Sequence, residues 1–528
     1  MLKSRRLPRG EITYSAAKDK EVNILHQLGY YDKEQQFFDR IYQKRPWIKA
    51  VVAHHLRLSS PDECHVASMQ FWFHGSYNVC VPVTITSWTG KQLAQRVLLR
   101  LPLPYRVGET FRPGNGDEKI RCEAGTYAWL QENCPDVPIP RLYGFATSTG
   151  EAFTRIDNLP YLTRCFQHLR RRLLAWFGYP VPSQYVRHQG GHRLSLGRLE
   201  DAGYLLIEHI DKDRGEMLSN TWSQMRHDSK LQTNFFRDLS RIMLSISRRP
   251  LPRIGSFTID NNGFLSLTNR PLSVGLQELE NEEIPIDMPR DYTYSTVDSY
   301  LVDTLAFHDS RLRYQPNAID DAEDCASQMS ALVAMRAGFP LFFQRDLRRG
   351  PFVLNLTDLH QSNILVDKDW HITSLVDLEW ACSLPVEMVG PPYWLTNQGV
   401  DTIIAEEFNT VRSQFIDILA AEEQQLGSFI SSNPRKEALR LSAVMNHTWE
   451  IGTFWYTLAL SSPTGLFNLF YRQIRPRLDN LDPEYTNYIL IMPEYWSRDV
   501  LNTIQQKKSH KDEYDIQLKQ AFRVESPY

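Results

Sequence analysis

Long apolar runs are missing from this chain. No stretch of eighteen or more apolar residues occurs among its 528 positions, which excludes an ordinary membrane-spanning helix. The most apolar helical segment, AVMNHTWEIGTFWYTLAL, carries Asn446, His447 and Glu450 and reads as a buried core helix. Paired cysteines are missing as well. Seven are scattered at 64, 80, 122, 134, 165, 325 and 382 with no CxxC pair, which points to reduced thiols in an intracellular protein rather than a disulfide framework or a zinc site. A charge excess of either sign is absent: the net charge is −3, so nothing global calls for nucleic acid or an anionic membrane as partner. There is no internal repeat and no low-complexity tract. MLKSRRLPRG at the start is basic but has no apolar h-region, and Glu11, Asp19 and Glu21 follow soon after. The expected location is the cytoplasm, with the mitochondrion as the alternative.

What is present is a change of pattern along the chain. Residues 22–57 have a helical period interrupted near Pro46. HVASMQFWFHGSYNVCVPVTITSW and QRVLLRLPLP, residues 95–104, are rich in β-branched and aromatic residues and predict strands. IRCEAGTYAWLQEN predicts a helix, VPIPRLYGFA an extended segment and EDAGYLLIEHI one more strand. Between them, residues 153–200 are Arg-rich (QHLRRRLL) and then Gly/His/Ser-rich (RHQGGHRLSLG), the mark of an insertion whose charges form a solvated face, with nucleic-acid binding a minor alternative. Past 212 helical patterns dominate, broken by the hairpin SFTIDNNGFLSL with its NNG turn. The charged run after 500 is expected to be loosely attached.

The stretch TDLHQSNILVDKDWHITSLVDLEW, residues 357–380, carries the chemistry. NILVD and ITSLVDL are short strands joined by KDWH, so Asn363 and Asp377 should face one point at the open end of a hairpin, with Asp358 in the loop before it. An amide oxygen and a carboxylate are hard ligands suited to Mg²⁺ shared with phosphates. A second carboxylate can accept a proton from a hydroxyl. That is a layout for phosphoryl transfer. The bland alternative is that Asp358 and Asn363 cap turns and Asp377 ends a strand.

TDLHQSNILVD followed by LVDLEW resembles the catalytic segment of aminoglycoside phosphotransferase-like kinases, and the run through ACSLPVEMVGPPYWLT is similar to a fungal branch of that superfamily. The resemblance covers roughly residues 70 to 400 and is sharpest from 352 to 395. It implies an α+β, bilobal protein-kinase-like fold, with a small antiparallel-sheet N-lobe and a larger, mainly helical C-lobe. The implied divisions are an N-terminal helical extension at 1–60, the N-lobe at 61–210 including the insertion at about 153–200, the C-lobe at 211–500 and a charged tail at 501–528. It also implies ATP and Mg²⁺, Asp358 as catalytic base, Asn363 and Asp377 as metal ligands, and His360 tying down the loop. Two positions depart from the family's HGDLHPGN: Leu356 stands for the first histidine and Thr357 for the glycine.

HGSYNVCVPV resembles the family's phosphate-covering turn, with Gly75 and Asn78 at the phosphates. The expected ATP-gripping lysine is replaced by Arg100, which keeps the charge in a forked shape and is expected to pair with Glu123. GYLLIEHI resembles the hinge, whose backbone from Glu208 to Ile210 would meet adenine. The implied substrate is a small molecule bearing a hydroxyl. Glu379, Trp380 and Glu387 are acceptor-site candidates, as is the pair Tyr393–Trp394, and their acids and rings suit a cationic or polyol acceptor. A catalytically weak pseudokinase serving as a scaffold is the alternative, and a protein kinase is disfavoured because D-L-E stands where D-F-G is expected.

Overall fold

The segment NVCVPVTI alternates, and its apolar positions decide the layering. In the strand Asn78–Ile85 the side chains of Val79, Val81, Val83 and Ile85 are buried on one face, as a period of two requires. The partner strand Arg96–Pro102 sets Leu101, Leu99 and Val97 opposite Val79, Val81 and Val83. The structure, a computed structural model, describes residues 3–86, 96–188, 199, 201–427, 439–478 and 485–523. Its class is the mixed α+β expected, with antiparallel sheets and many helices.

Among the described residues the main sheet runs Cys64–Val66, Asn78–Ile85, Arg96–Pro102, Tyr204–Glu208, Leu142–Ala146, Ala152–Arg155, Tyr185–Arg187, with Phe73–His74 also paired to Asn78–Ile85. Helices Tyr30–Gln43 and Arg45–Leu56 cover the valine face through Phe37, Ile41, Ile48 and Val52. They meet at Lys44, and Pro46 sits in the first turn of the second helix, where its missing N–H leaves no bond unmade. The other face carries Phe145, Phe153, Leu205 and Ile207. It packs on the helix Asn115–Asn133 in a core that continues into helices Ser229–Ser247, Val297–Tyr314, Ala322–Phe342 and Ala405–Leu426. The hairpin Ser256–Ile259/Leu265–Asn269 lies against that first helix, with Trp129 stacked on Phe257 at 5.6 Å. Gly125 makes the approach close: a Cβ there would come within 2.4 Å of the Phe257 carbonyl oxygen.

Two expectations change. The run after 500 is the helix Val500–Ala521, and it is anchored. Tyr514, Leu518 and Phe522 bury against Ile12, Ala17 and Ile24, and the Tyr514 hydroxyl accepts the Ile24 N–H at 3.0 Å. Lys507 donates to the Gln315 carbonyl at 2.7 Å. The excursion at 153–200 contributes to the sheet at both ends, through Ala152–Arg155 and Tyr185–Arg187, with the helix Tyr161–Trp176 between them. Its Gly/His/Ser-rich run from 189 to 198 lies outside the described residues. No described helix is long and apolar enough to cross a membrane.

Gly125→Ala tests the helix–hairpin approach. Overpacking against backbone should lower stability by about 1–3 kcal/mol, read as a lower urea midpoint with an unchanged slope.

Candidate functional site

The hairpin forms as its sequence predicts. Ile364–Val366 pairs with Ile372–Leu375, and the Asp367 carboxylate closes the turn by accepting the N–H groups of Asp369 and His371, each at 2.9 Å. The ladder runs one step further, Val376 N–H donating to the Asn363 carbonyl at 3.0 Å, so Asn363 and Asp377 emerge side by side at the open end. Asp377 has a φ of 59°, a left-handed conformation uncommon outside glycine and a frequent companion of functional sites.

Asp358 follows the strand Phe352–Leu356, which pairs with Ala381–Pro385. Its loop is held from four sides. The Asn363 amide donates to the Asp358 carbonyl at 2.9 Å and to its carboxylate at 3.1 Å. The Thr357 hydroxyl donates to the Trp380 carbonyl at 2.6 Å, and the Trp394 indole to the Leu359 carbonyl at 2.8 Å. His360 caps the short turn Gln361–Asn363 by accepting the Ser362 N–H, the loop-tying role expected of it. Leu356 pairs with Ala381 in the ladder, so the two departures from the HGDLHPGN pattern sit in a well-bonded loop. Burial raises the Asp358 carboxyl to about 7, with the negative charges of Glu379 and Asp377 adding to it against the Asn363 hydrogen bond. Asp358 and Asp377 line one small cleft of about 10 Å³.

Behind this cleft lies a cluster of buried charge. The Arg100 guanidinium meets Glu123 at 3.2 Å, Asp377 at 2.6 Å and Glu379 at 2.7 Å. Lys119 meets Glu379 at 3.1 Å and donates to the Asn78 side-chain oxygen, while the Asn78 amide donates to Glu379 at 2.8 Å. The expected Arg100–Glu123 pair is present, within a larger network. Burial works to raise Glu379, but Arg100 and Lys119 outweigh it and hold the carboxyl at about 2; burial raises Glu123 to about 7 against the pull of Arg100. Lys119 was not anticipated. Its signal was the spacing of four residues to Glu123, which puts both on one face of the helix.

Other candidates are placed differently. Glu379 and Trp380 were expected at the acceptor, but both are 1% exposed. The first is consumed by its cations, and the second packs on Tyr77 with ring centroids 5.2 Å apart. Gly75 is exposed in the turn before Asn78, its N–H donating to the Asn78 carbonyl at 2.9 Å, and a Cβ there would meet nothing within 4 Å, so no close backbone approach demands glycine. The Glu208 and His209 N–H groups donate to the carbonyls of Arg141 and Arg96, so within 208–210 it is Ile210 whose N–H lies outside the main-chain bonds among the described residues. Glu387 lines a cavity of about 450 Å³ that Asp358 also borders, together with Glu278, Met243, Met388 and Phe454. One Glu387 oxygen accepts the Gln344 N–H at 3.0 Å, and the other is buried without a partner. Burial raises that carboxyl to about 7.

No group of three or more His, Cys, Asp or Glu side chains is placed to hold a metal among the described residues. Asn363 and Asp377 supply two oxygen donors, a set that suits Mg²⁺, since that ion is ordinarily held by one or two carboxylates plus phosphates and waters. Within the cluster Glu379 is held ionised by Arg100 and Lys119, while burial works against ionisation of Glu123 and Asp377.

No protein-family model matches this chain, and no curated protein matches it. Among solved structures, an ethanolamine kinase of Plasmodium vivax is similar at 12% identity over 85% of this chain and 86% of that one, with a TM-score of 0.35. Neither function nor fold is assigned on so distant a likeness.

Glu379 carries a test of the cluster. Its carboxyl is lowered on folding from an ordinary 4.5 to about 2. The stability it contributes is therefore complete above about 4.5 and is lost as the pH falls toward 2. Urea midpoints measured across that window should fall steeply for the wild type and less steeply for Glu379→Gln. Arg100→Met leaves buried carboxylates unpaired and should cost about 3–5 kcal/mol at neutral pH by the same measurement.

Proposed function

We propose that this protein is an ATP- and Mg²⁺-dependent phosphotransferase, of bilobal kinase-like architecture, that moves a γ-phosphate to the hydroxyl of a small molecule. The observation that carries the reading is the convergence of Asp358, Asn363 and Asp377 at the open end of one hairpin, beside the Arg100–Glu123 pair. In it Asp358 accepts the hydroxyl proton, and a carboxyl raised to about 7 suits a base working near neutrality. Asn363 and Asp377 would hold Mg²⁺, which when bound neutralises charge on the phosphates. Arg100 orients Asp377 through their 2.6 Å contact, Asn78 ties Glu379 to Lys119 behind the turn at Gly75 that would cover the phosphates, and the 208–210 backbone would meet the base of the nucleotide.

The acceptor belongs in the 450 Å³ cavity bordered by Asp358, a size suited to a small ligand. Its lining by Ile242, Met243, Leu354, Met388 and Phe454 supports an acceptor with a substantial apolar body rather than a free polyol. Glu387, with its partnerless oxygen, would receive a donor group of that molecule.

Calorimetry with ATP tests the reading. Binding should require Mg²⁺ in the wild type and collapse in Asp377→Ala, whereas Asp358→Asn should keep binding and lose turnover by about 10²–10⁴-fold. The engagement of Arg100 by three carboxylates favours one second reading, a pseudokinase in which that lock is permanent. Absence of nucleotide binding under any divalent ion would select it.

A further inference from the structure

The helix Tyr161–Trp176 reverses the usual rule for a surface helix. Leu162, Phe166, Leu169, Leu173 and Trp176 recur at alternating spacings of four and three, which makes one helical stripe. All five face solvent, Leu162 at 81% and Trp176 at 78% exposure, and Phe177 and Tyr179 extend the stripe beyond the helix end. The opposite side is the one held to the protein. Gln167 is buried there, and Arg171 donates to the Glu132 carboxylate at 3.0 Å and to the Pro182 carbonyl.

The segment that carries this stripe is basic. From 158 to 188 the sequence has no Asp or Glu and five Arg, although the whole chain carries −3. Arg171 and Arg187 pair with Glu132 and Glu151, and Asp157 lies 3.9 Å from His168 on the side away from the stripe's centre. At 3.6 residues per turn, Arg170 and Arg172 fall about 80° to either side of the stripe's centre. An apolar strip flanked on both edges by arginine suits an interface where hydrocarbon meets phosphate: the side-chain stems lie along the apolar layer while the guanidinium groups reach the headgroups. Tyr161, Trp176 and Tyr179 carry rings suited to headgroup depth.

We propose that the helix Tyr161–Trp176 is an interfacial anchor that lies in the plane of an anionic membrane, its apolar stripe immersed and its arginines at the lipid phosphates. A protein groove accepts the stripe alone, but arginine on both flanks, at 170 and 172, calls for a surface that is apolar and negative. This inference does not rest on the catalytic reading.

The test uses the full chain and vesicles of phosphatidylcholine with or without phosphatidylserine. The wild type should float with the anionic vesicles at least about fivefold better than with the neutral ones, less so as salt rises. Leu169→Asp/Leu173→Asp should reduce that partitioning at least about tenfold, and Arg170→Glu/Arg172→Glu at least about twentyfold, both with the wild-type melting temperature. Cys165 is the exposed cysteine of the seven and lies on this helix, so an environment-sensitive dye attached there should shift to the blue when anionic vesicles are added to otherwise wild-type protein. Failure of the wild type to float with anionic vesicles, an unshifted dye, or variants that float like the wild type would each overturn the proposal. So would self-association abolished by Leu169→Asp/Leu173→Asp without vesicle binding, which would assign the stripe to a second copy of the chain.

Discussion

The buried guanidinium of Arg100 is the contact on which the rest of the site depends. It joins three parts of the chain that no local sequence signal connects: its own strand, the helix bearing Glu123, and the segment after the hairpin bearing Asp377 and Glu379. A cation this buried is costly to desolvate, and its partners make the arrangement tolerable only by satisfying all of its nitrogens. A lysine point charge could not address three carboxylates in separate directions with the same fixed fork. Arginine at this position is therefore suited to fixing the sheet against the hairpin, whatever further contact it makes with a ligand.

The same cluster sets the electrostatics of Asp358. Two cations hold Glu379 ionised well below the usual carboxylate range, so a negative charge stands behind the Asp358 loop near neutral pH. That charge, with burial and Asp377, is what lifts Asp358 toward neutrality. The loop itself needs no histidine at 356, because Thr357, Asn363 and Trp394 already satisfy its carbonyls. A hydroxyl at 357, where the resembled pattern has glycine, adds a bond to the Trp380 carbonyl rather than removing freedom the loop requires.

Legibility in the sequence followed the range of the interactions. The alternation in NVCVPVTI, the NNG hairpin and the strand–turn–strand after Asn363 are local patterns, and each forms where its period and turn residues place it. The Arg100–Glu123 pair was expected only through the resemblance to the kinase family, in which Arg100 stands for the ATP-gripping lysine. The Lys119–Glu379 pair, the engagement of Asp377 by Arg100 and the burial of Glu379 depend on contacts more than two hundred residues apart, which periodicity does not encode. The terminal helix misled for the same reason. Its few apolar residues look insufficient for docking until Tyr514, Leu518 and Phe522 meet Ile12, Ala17 and Ile24 from the other end of the chain.

Composition averaged over the whole chain hid one feature of another kind. A net charge of −3 argues against an anionic partner only if charge is evenly spread, and here five arginines without an acid occupy 158–188 while carboxylates elsewhere balance them. The apolar residues of the helix Tyr161–Trp176 have the period of a core-facing stripe, so from sequence alone that stripe would be assigned inward and the arginines outward as a solvated face. The structure turns the helix over. Arg171, not the leucines of the stripe, points to the protein and meets Glu132, because the helix Asn115–Asn133 and the loop before Tyr185–Arg187 offer a carboxylate and a carbonyl there. An amphipathic period thus identifies a face that must be covered, while the chemistry of the neighbouring surface decides whether the protein covers it or leaves it to an apolar medium outside.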